Sequence, residues 1–324
     1  MSSREEGEVP ARLQPHPEDY AYDLDTALNA VVALRAVVPV DAFTAETLGT
    51  ERSGHGVLIR PGLVLTIGYL ITEAETLWVR LADGRVFEGH PLGYDQTTGF
   101  GLVQLLAHID TPVLPIGSAA SVAVGDPVVI AGAGGRNHSV AARIISKQEF
   151  AGYWEYVLDE ALFIAPAHPH WGGTAVIGPQ GELVGIGSLQ LERERARGRP
   201  EPLNMAVPID LLPPILDDLM TRGRPNRPPR PWLGVYATEA DDRVVVIGVA
   251  SGGPAQQADL RTGDVLIAVA GTPVADLAEL FRRIWALGEA GVPVPLKVWR
   301  DGRTFDVTVA SSDRSRFLKG PRLH

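Results

Sequence analysis

The segment at 164–187, IAPAHPHWGGTAVIGPQGELVGIG, concentrates groups that can do chemistry. His168 and His170 stand two residues apart, and His55, His90 and His138 lie on other segments that a fold can bring beside them. Neutral imidazoles ligate metals, so one reading is a histidine metal site. The plainer reading is a set of exposed loop histidines, because the spacing matches no standard ligand pattern. We adopt it and expect no metal and no cofactor. AGAGGRN at 131–137 is glycine-rich, but it lacks the lysine and the strand–loop–helix setting of a phosphate loop and reads as a turn between strands. The chain has no cysteine, which removes disulfides, thiolate metal sites and a thiol nucleophile together.

Many short elements must position these groups. Runs such as VVALRAVV, GHGVLIR, LVLTIGY, TLWVRLA, GLVQLL, DPVVIAG and ELVGIGSLQ are β-type and are punctuated by Gly, Pro, Asp and Asn. ADGR at 82–85 and GPQG at 178–181 are turn signals. Strands at this spacing predict a sandwich or barrel. LERERARGRPEP at 191–202 reads as a charged loop, and Asp210 as a helix N-cap. TRGRPNRPPRP at 221–231 reads as an extended spacer. Beyond it, strands are expected near 243–249, 264–270, 294–299 and 304–309, with a helix at 276–287 capped by Asp276. The boundaries we expect are a flexible tail at 1–24, a first domain at 25–222, a linker at 223–230, a second domain at 231–312 and a tail at 313–324.

In this order the pieces resemble the HtrA (Deg) family over about residues 27–310. GHGVLIRPGLVLTIGYLI is similar to the family segment that delivers a catalytic His. LADGRVFEGHPLGYDQTTGFGLVQL is similar to the one that delivers the Asp, PHWGGTAVIGPQGELVGIG to the serine loop, and NMAVPIDLL to the end of the domain. The resemblance implies a mostly β fold: a trypsin-like double six-stranded β-barrel followed by a small α+β PDZ domain.

The departures fall on the chemistry. The family pattern places His at Tyr69, Asp at Gly99 and Ser at Trp171. The reaction needs a hydroxyl nucleophile, a base in hydrogen-bond reach and a carboxylate that orients the base. Trp offers only an N–H, Gly has no side chain, and Tyr is a poor base near neutral pH. The oxyanion hole uses the main-chain N–H two residues before the serine, and here that residue is Pro169, which has none. Thr174, Ser188 and His170 are nearby in sequence. Thr174 should sit on the descending strand with its hydroxyl pointing away, and no recognisable pattern places a carboxylate to orient His170.

PPRPWLGVYA resembles the start of a bacterial PDZ domain, and SGGPAQQADLRTGDVLIAVAGTPV at 251–274 its most recognisable stretch. The resemblance implies that Trp232, Leu233, Gly234 and Val235 form a loop whose N–H groups capture a peptide's C-terminal carboxylate. The peptide then adds a strand, and an apolar pocket takes its last side chain. Phe281 and Ile284 are candidate pocket residues, with plain core packing as the other reading. An occluded groove is the alternative for the loop.

The expectation is therefore an HtrA-like pseudoprotease that binds peptide C-termini or unfolded segments as scaffold, chaperone-like holder or regulator of an active HtrA paralogue. The alternative is a working serine-type endopeptidase with a non-standard site. The family's habit of trimerising implies a homotrimer through residues 27–50. The net charge of −10 argues against nucleic acid as a partner. No apolar run approaches the ~20 residues of a membrane span. The polar, acidic start of the sequence reads as cytoplasmic, with a periplasmic home if the true start differs.

Overall fold

The structure, a computed structural model, describes residues 8–195 and 199–320. Two compact units divide the chain. The first comprises Met1–Gln148, Glu160–Asn226 and Lys319–His324, and the second Glu149–Asp159 and Arg227–Leu318.

The first unit holds two closed six-stranded barrels. One is built from β1 (Val31–Val37), β2 (Glu51–Arg60), β3 (Leu63–Ile67), β4 (Thr76–Arg80), β5 (Val86–Tyr94) and β6 (Phe100–Leu105), in the order β1-β2-β3-β6-β5-β4. Its sequence logic is direct. β4 alternates inward Leu77 and Val79 with outward neighbours, whereas β3 is apolar almost throughout and every residue of it is buried. The other barrel is built from β7 (Pro127–Ala131), β8 (Ser139–Gly152), β9 (Tyr156–Ala165), β10 (Ala175–Ile177), β11 (Leu183–Arg195) and β12 (Arg199–Pro208), in the order β10-β11-β12-β9-β8-β7. Val128, Ile130, Ile144, Ile164 and Val184 are in its core. Helices α1 (Leu24–Asn29), α2 (Ala45–Leu48) and α3 (Leu216–Arg222) are short.

In the second unit β13 (Val235–Ala240), β14 (Arg243–Val249), β15 (Val265–Val269), β17 (Pro293–Arg300) and β18 (Arg303–Ala310) form a sheet in the order β13-β14-β15-β17-β18, with β16 (Thr272–Pro273) paired to β15. Helix α4 (Pro254–Gln257) starts at its proline, and α5 (Leu277–Trp285) is capped by the Asp276 carboxylate, which accepts from Glu279 N at 2.7 Å. The mostly β class, the double barrel and the α+β second domain are as the resemblance implied.

Several local expectations are corrected. Residues 8–24 are not a flexible tail. Val9 is 2% exposed in the core of the second barrel, its N–H donates to the Asn137 carbonyl at 2.8 Å, and Leu24 is buried in α1. A lone valine leaves no periodic signal in sequence, although its burial contributes as much as any core valine. Residues 191–195 and 199–202 are not a loop, because β11 and β12 continue through them as paired strands, with Arg193 paired to Glu201. Residues 196–198 lie outside the described set. Asp210 caps no helix. Its carboxylate accepts instead from Ser118 Oγ and Ala119 N, and α3 begins only after Pro213 and Pro214. After residue 312 the chain makes a turn at Arg314–Phe317, and Phe317 packs on Trp232 with ring centroids 4.9 Å apart. Residues 149–159, expected inside the first domain, belong to the second unit.

Candidate functional site

Within the first unit, the three positions that the resemblance assigns to a triad lie close together. Tyr69 sits in a 3-10 turn directly after β3, and Gly99 ends the turn that precedes β6. Gly68 N donates to the Gly99 carbonyl at 2.6 Å, which ties these two turns. The Tyr69 hydroxyl donates to the Ser188 carbonyl at 2.9 Å. The Trp171 indole, whose only polar hydrogen is its N–H, lies beside this phenol and acts to lower its pKa, against the larger effect of burial. Burial pushes the Tyr69 phenol above its ordinary value, so it stays protonated. The residue at the base position is thus held by the Ser188 carbonyl and keeps its proton.

The loop around Trp171 is fixed by close approach. Gly173 has φ +77°, and a Cβ there would lie 1.9 Å from the His55 carbonyl oxygen. His55 N donates to the Gly172 carbonyl at 2.8 Å. Gly99 has φ +83°, a left-handed conformation that an aspartate would hold only with strain. Pro169 contributes no N–H. Thr174 is fully buried and its hydroxyl donates to the Trp171 carbonyl at 2.9 Å.

The histidines are not all exposed, which corrects the sequence reading. His168 is 1% exposed. Its Nδ1 accepts from His170 N at 3.0 Å, so Nε2 carries the proton and faces the His138 carbonyl at 2.9 Å. Asn204 grips its main chain, the side-chain carbonyl accepting from His168 N at 2.6 Å. His168 therefore braces the loop that carries Trp171. Burial drives its pKa down to about 4. His55 accepts from Ala133 N through Nδ1, and burial followed by the neighbouring His168 drives its pKa down to about 3. Its Nε2 has no partner among the described residues. His55, His138 and His170 line a cavity of about 590 Å³ together with Arg35, Trp78 and Arg80. Among the described residues no group of three or more His, Asp or Glu is placed to hold a metal.

In the second unit the N–H groups of Leu233, Gly234 and Val235 converge. All three donate to one carboxylate, that of Glu155: Leu233 N lies 3.1 Å from each oxygen, Gly234 N 2.7 Å and Val235 N 3.0 Å from Oε1. Trp232 is no part of this cradle, because its N–H and carbonyl pair with Ser312. Phe281 and Ile284 on α5 are 0% and 2% exposed, in one cluster with Leu233, Val235 and Val157. Nothing in the sequence points to Glu155, which lies some eighty positions from its partners and in a stretch that reads as barrel strand.

Comparison with known proteins follows the same two units. Residues 54–186 match the trypsin-like peptidase domain model and residues 231–310 the PDZ domain model. The serine endoprotease DegS of Salmonella typhimurium is 28% identical over 311 residues, covering 90% of this chain and 86% of that protein. The chain belongs to the HtrA family. The HtrA of Bacillus subtilis, a Do-like serine protease, is 23% identical over 320 residues, covering 88% of this chain and 70% of that protein. Among solved structures, the HtrA-type protease AlgW with a decapeptide aligns with a TM-score of 0.54 at 19% identity, over 92% of this chain and 98% of that one, which shows a shared fold. No helix among the described residues is long and apolar enough to cross a membrane.

Proposed function

We propose that this HtrA-family chain is a pseudoprotease: it binds peptide C-termini or unfolded segments through its PDZ domain and does not hydrolyse them. The observation that carries this reading is the Tyr69–Ser188 hydrogen bond, which holds a protonated phenol at the family's base position, with Trp171 at its nucleophile position. Neither the indole nor a buried, protonated phenol supplies a nucleophile that a base can activate. Pro169 removes an oxyanion donor, and such a loss alone costs roughly 100–1000-fold in rate. For binding, the support is the cradle of Leu233, Gly234 and Val235 beside β13, together with a likeness in fold to AlgW, which was solved with a decapeptide. The role that follows is a holder, a scaffold or a regulator of an active HtrA paralogue, with residues 27–50 as the trimer-forming region.

The test is digestion of casein by the purified chain beside an active HtrA protease. No fragment should appear above the level of a no-enzyme control. The competing reading, a serine-type endopeptidase, has in its favour only that its relatives are named as proteases. It would be established by cleavage that survives repurification and disappears on changing Thr174 or His170. Compartment is decided separately, by fractionation of the tagged protein into cytoplasmic and periplasmic pools.

A further inference from the structure

Residues 153–155 form the turn of the β8–β9 hairpin, and they lie in the second unit with the PDZ-type sheet. Three features of this turn are those of a bound peptide. The Glu155 carboxylate fills the cradle of Leu233, Gly234 and Val235, taking all three N–H groups. Two residues further along β13, Ala237 N donates to the Tyr153 carbonyl at 3.0 Å, two residues back along the hairpin. Along β13 the Glu155 side chain meets Val235 and the Tyr153 main chain meets Ala237, so the turn runs antiparallel to the strand, with one main-chain bond to its free edge. Val157 is buried in the cluster that holds Phe281 and Ile284, and Ala151 packs against it. The clamp is completed at the rim, where Arg282 on α5 pairs with Glu149 on one limb of the hairpin and Asp159 on the other. Tyr153 rests edge-on against Tyr236 at 6.0 Å.

Glu155 is otherwise hard to account for. It is 6% exposed, holds a left-handed backbone at φ +60°, and burial pushes its carboxyl up to about 7 against the pull of the three amides and Arg314. A carboxylate is costly to bury and gains nothing in a barrel hairpin that ends short of the cradle. The cost is offset only if three main-chain donors would otherwise stand open.

We propose that this hairpin is a built-in ligand of the groove between β13 and α5, its Glu155 carboxylate standing where the C-terminal carboxylate of a peptide would bind, so that a peptide enters only by displacing it. The proposal rests on reading that groove as a peptide site. A groove that is free in only one molecule in a hundred binds its ligand about 100-fold more weakly than an open one. The ligand class follows from the geometry: a free C-terminal carboxylate on an extended segment, with an apolar side chain near its end.

The experiment uses the full chain, Glu155→Ala and Arg282→Glu. The second variant leaves the cradle untouched and repels both limbs of the hairpin. The probe is a fluorescein-labelled decapeptide pool with its last three positions randomised, made with a free or an amidated C-terminus. Hydrogen exchange over residues 233–237 is followed in parallel. We expect both variants to bind the free-carboxylate pool at least ~10-fold more tightly than the unchanged chain, the amidated pool to bind none of them, and the 233–237 amides to exchange faster in both variants. Equal exchange in all three proteins overturns the docking. Equal binding of the free-carboxylate pool by all three overturns the competition while leaving the groove a peptide site. Faster exchange in the variants with no binding of either pool overturns the peptide-site reading and the competition with it.

Discussion

Trp171 offers one polar hydrogen, on its indole nitrogen, and the Tyr69 hydroxyl donates its own to the Ser188 carbonyl. Trp171→Ser would put a hydroxyl near a phenol that burial keeps protonated, so casein digestion should remain at background. Restoring Tyr69→His, Gly99→Asp and Trp171→Ser together should give at best a protease roughly 100-fold or more below an active relative, because Pro169 still withholds a donor. The aspartate introduced by Gly99→Asp would also have to hold φ +83°, at a cost of about 1–2 kcal/mol. Adding Pro169→Gly to the triple variant should raise kcat/KM, measured on a fluorogenic peptide. These three positions were legible only through the resemblance of the flanking segments to the HtrA family. The hydrogen bond that joins Tyr69 to Ser188 was not, because it depends on segments far apart in sequence meeting. The state of the histidines was not legible either. His168 looks like an exposed loop residue in sequence and is in fact closed in by Asn204, His138 and His170 N.

At the scale of single elements, the loop that carries Trp171 depends on His168 staying neutral. Its folded pKa, about 4, lies below the ordinary value of 6.5. The stability it contributes is therefore fully present above about pH 6.5 and is lost as the pH falls toward 4, at about 1.4 kcal/mol per pH unit. Thermal denaturation followed from about pH 7.5 to about pH 4.5 should show this fall, together with a like one from His55, and His168→Asn should make it shallower while leaving the share of His55. The N-terminal segment is tested by truncation. Removing residues 1–9 strips Val9 from the core of the second barrel and should cost roughly 1.5–3 kcal/mol in urea denaturation. In the second unit, Asp276→Ala should destabilise α5 by about 1 kcal/mol through loss of its cap. That cap and the strands β14, β15, β17 and β18 were readable from local pattern, and β13 was not. The pairing of residues 191–195 with 199–202 was not readable either, because their run of charged residues has the composition of a loop and hides it.

For the molecule as a whole, the alternation of strand, turn and spacer pointed to a sandwich or barrel followed by a smaller unit, and the resemblance to the HtrA family implied the two barrels and the PDZ-type sheet. What escaped the sequence is that Glu149–Asp159 leaves its barrel and joins the second unit. A strand pattern reports which residues are buried and not which core buries them, and Val157 satisfies the pattern equally well in either. The proposed role, binding without hydrolysis, stands or falls on the absence of activated hydroxyls. The most direct measurement is treatment of the native full-length protein with a fluorophosphonate, followed by intact-mass analysis and peptide mapping, beside an active HtrA protease as control. Complete labelling of the control and no adduct on this chain are the expected result. A stoichiometric adduct on Thr174, Ser188 or any other hydroxyl, lost on prior unfolding, would contradict it.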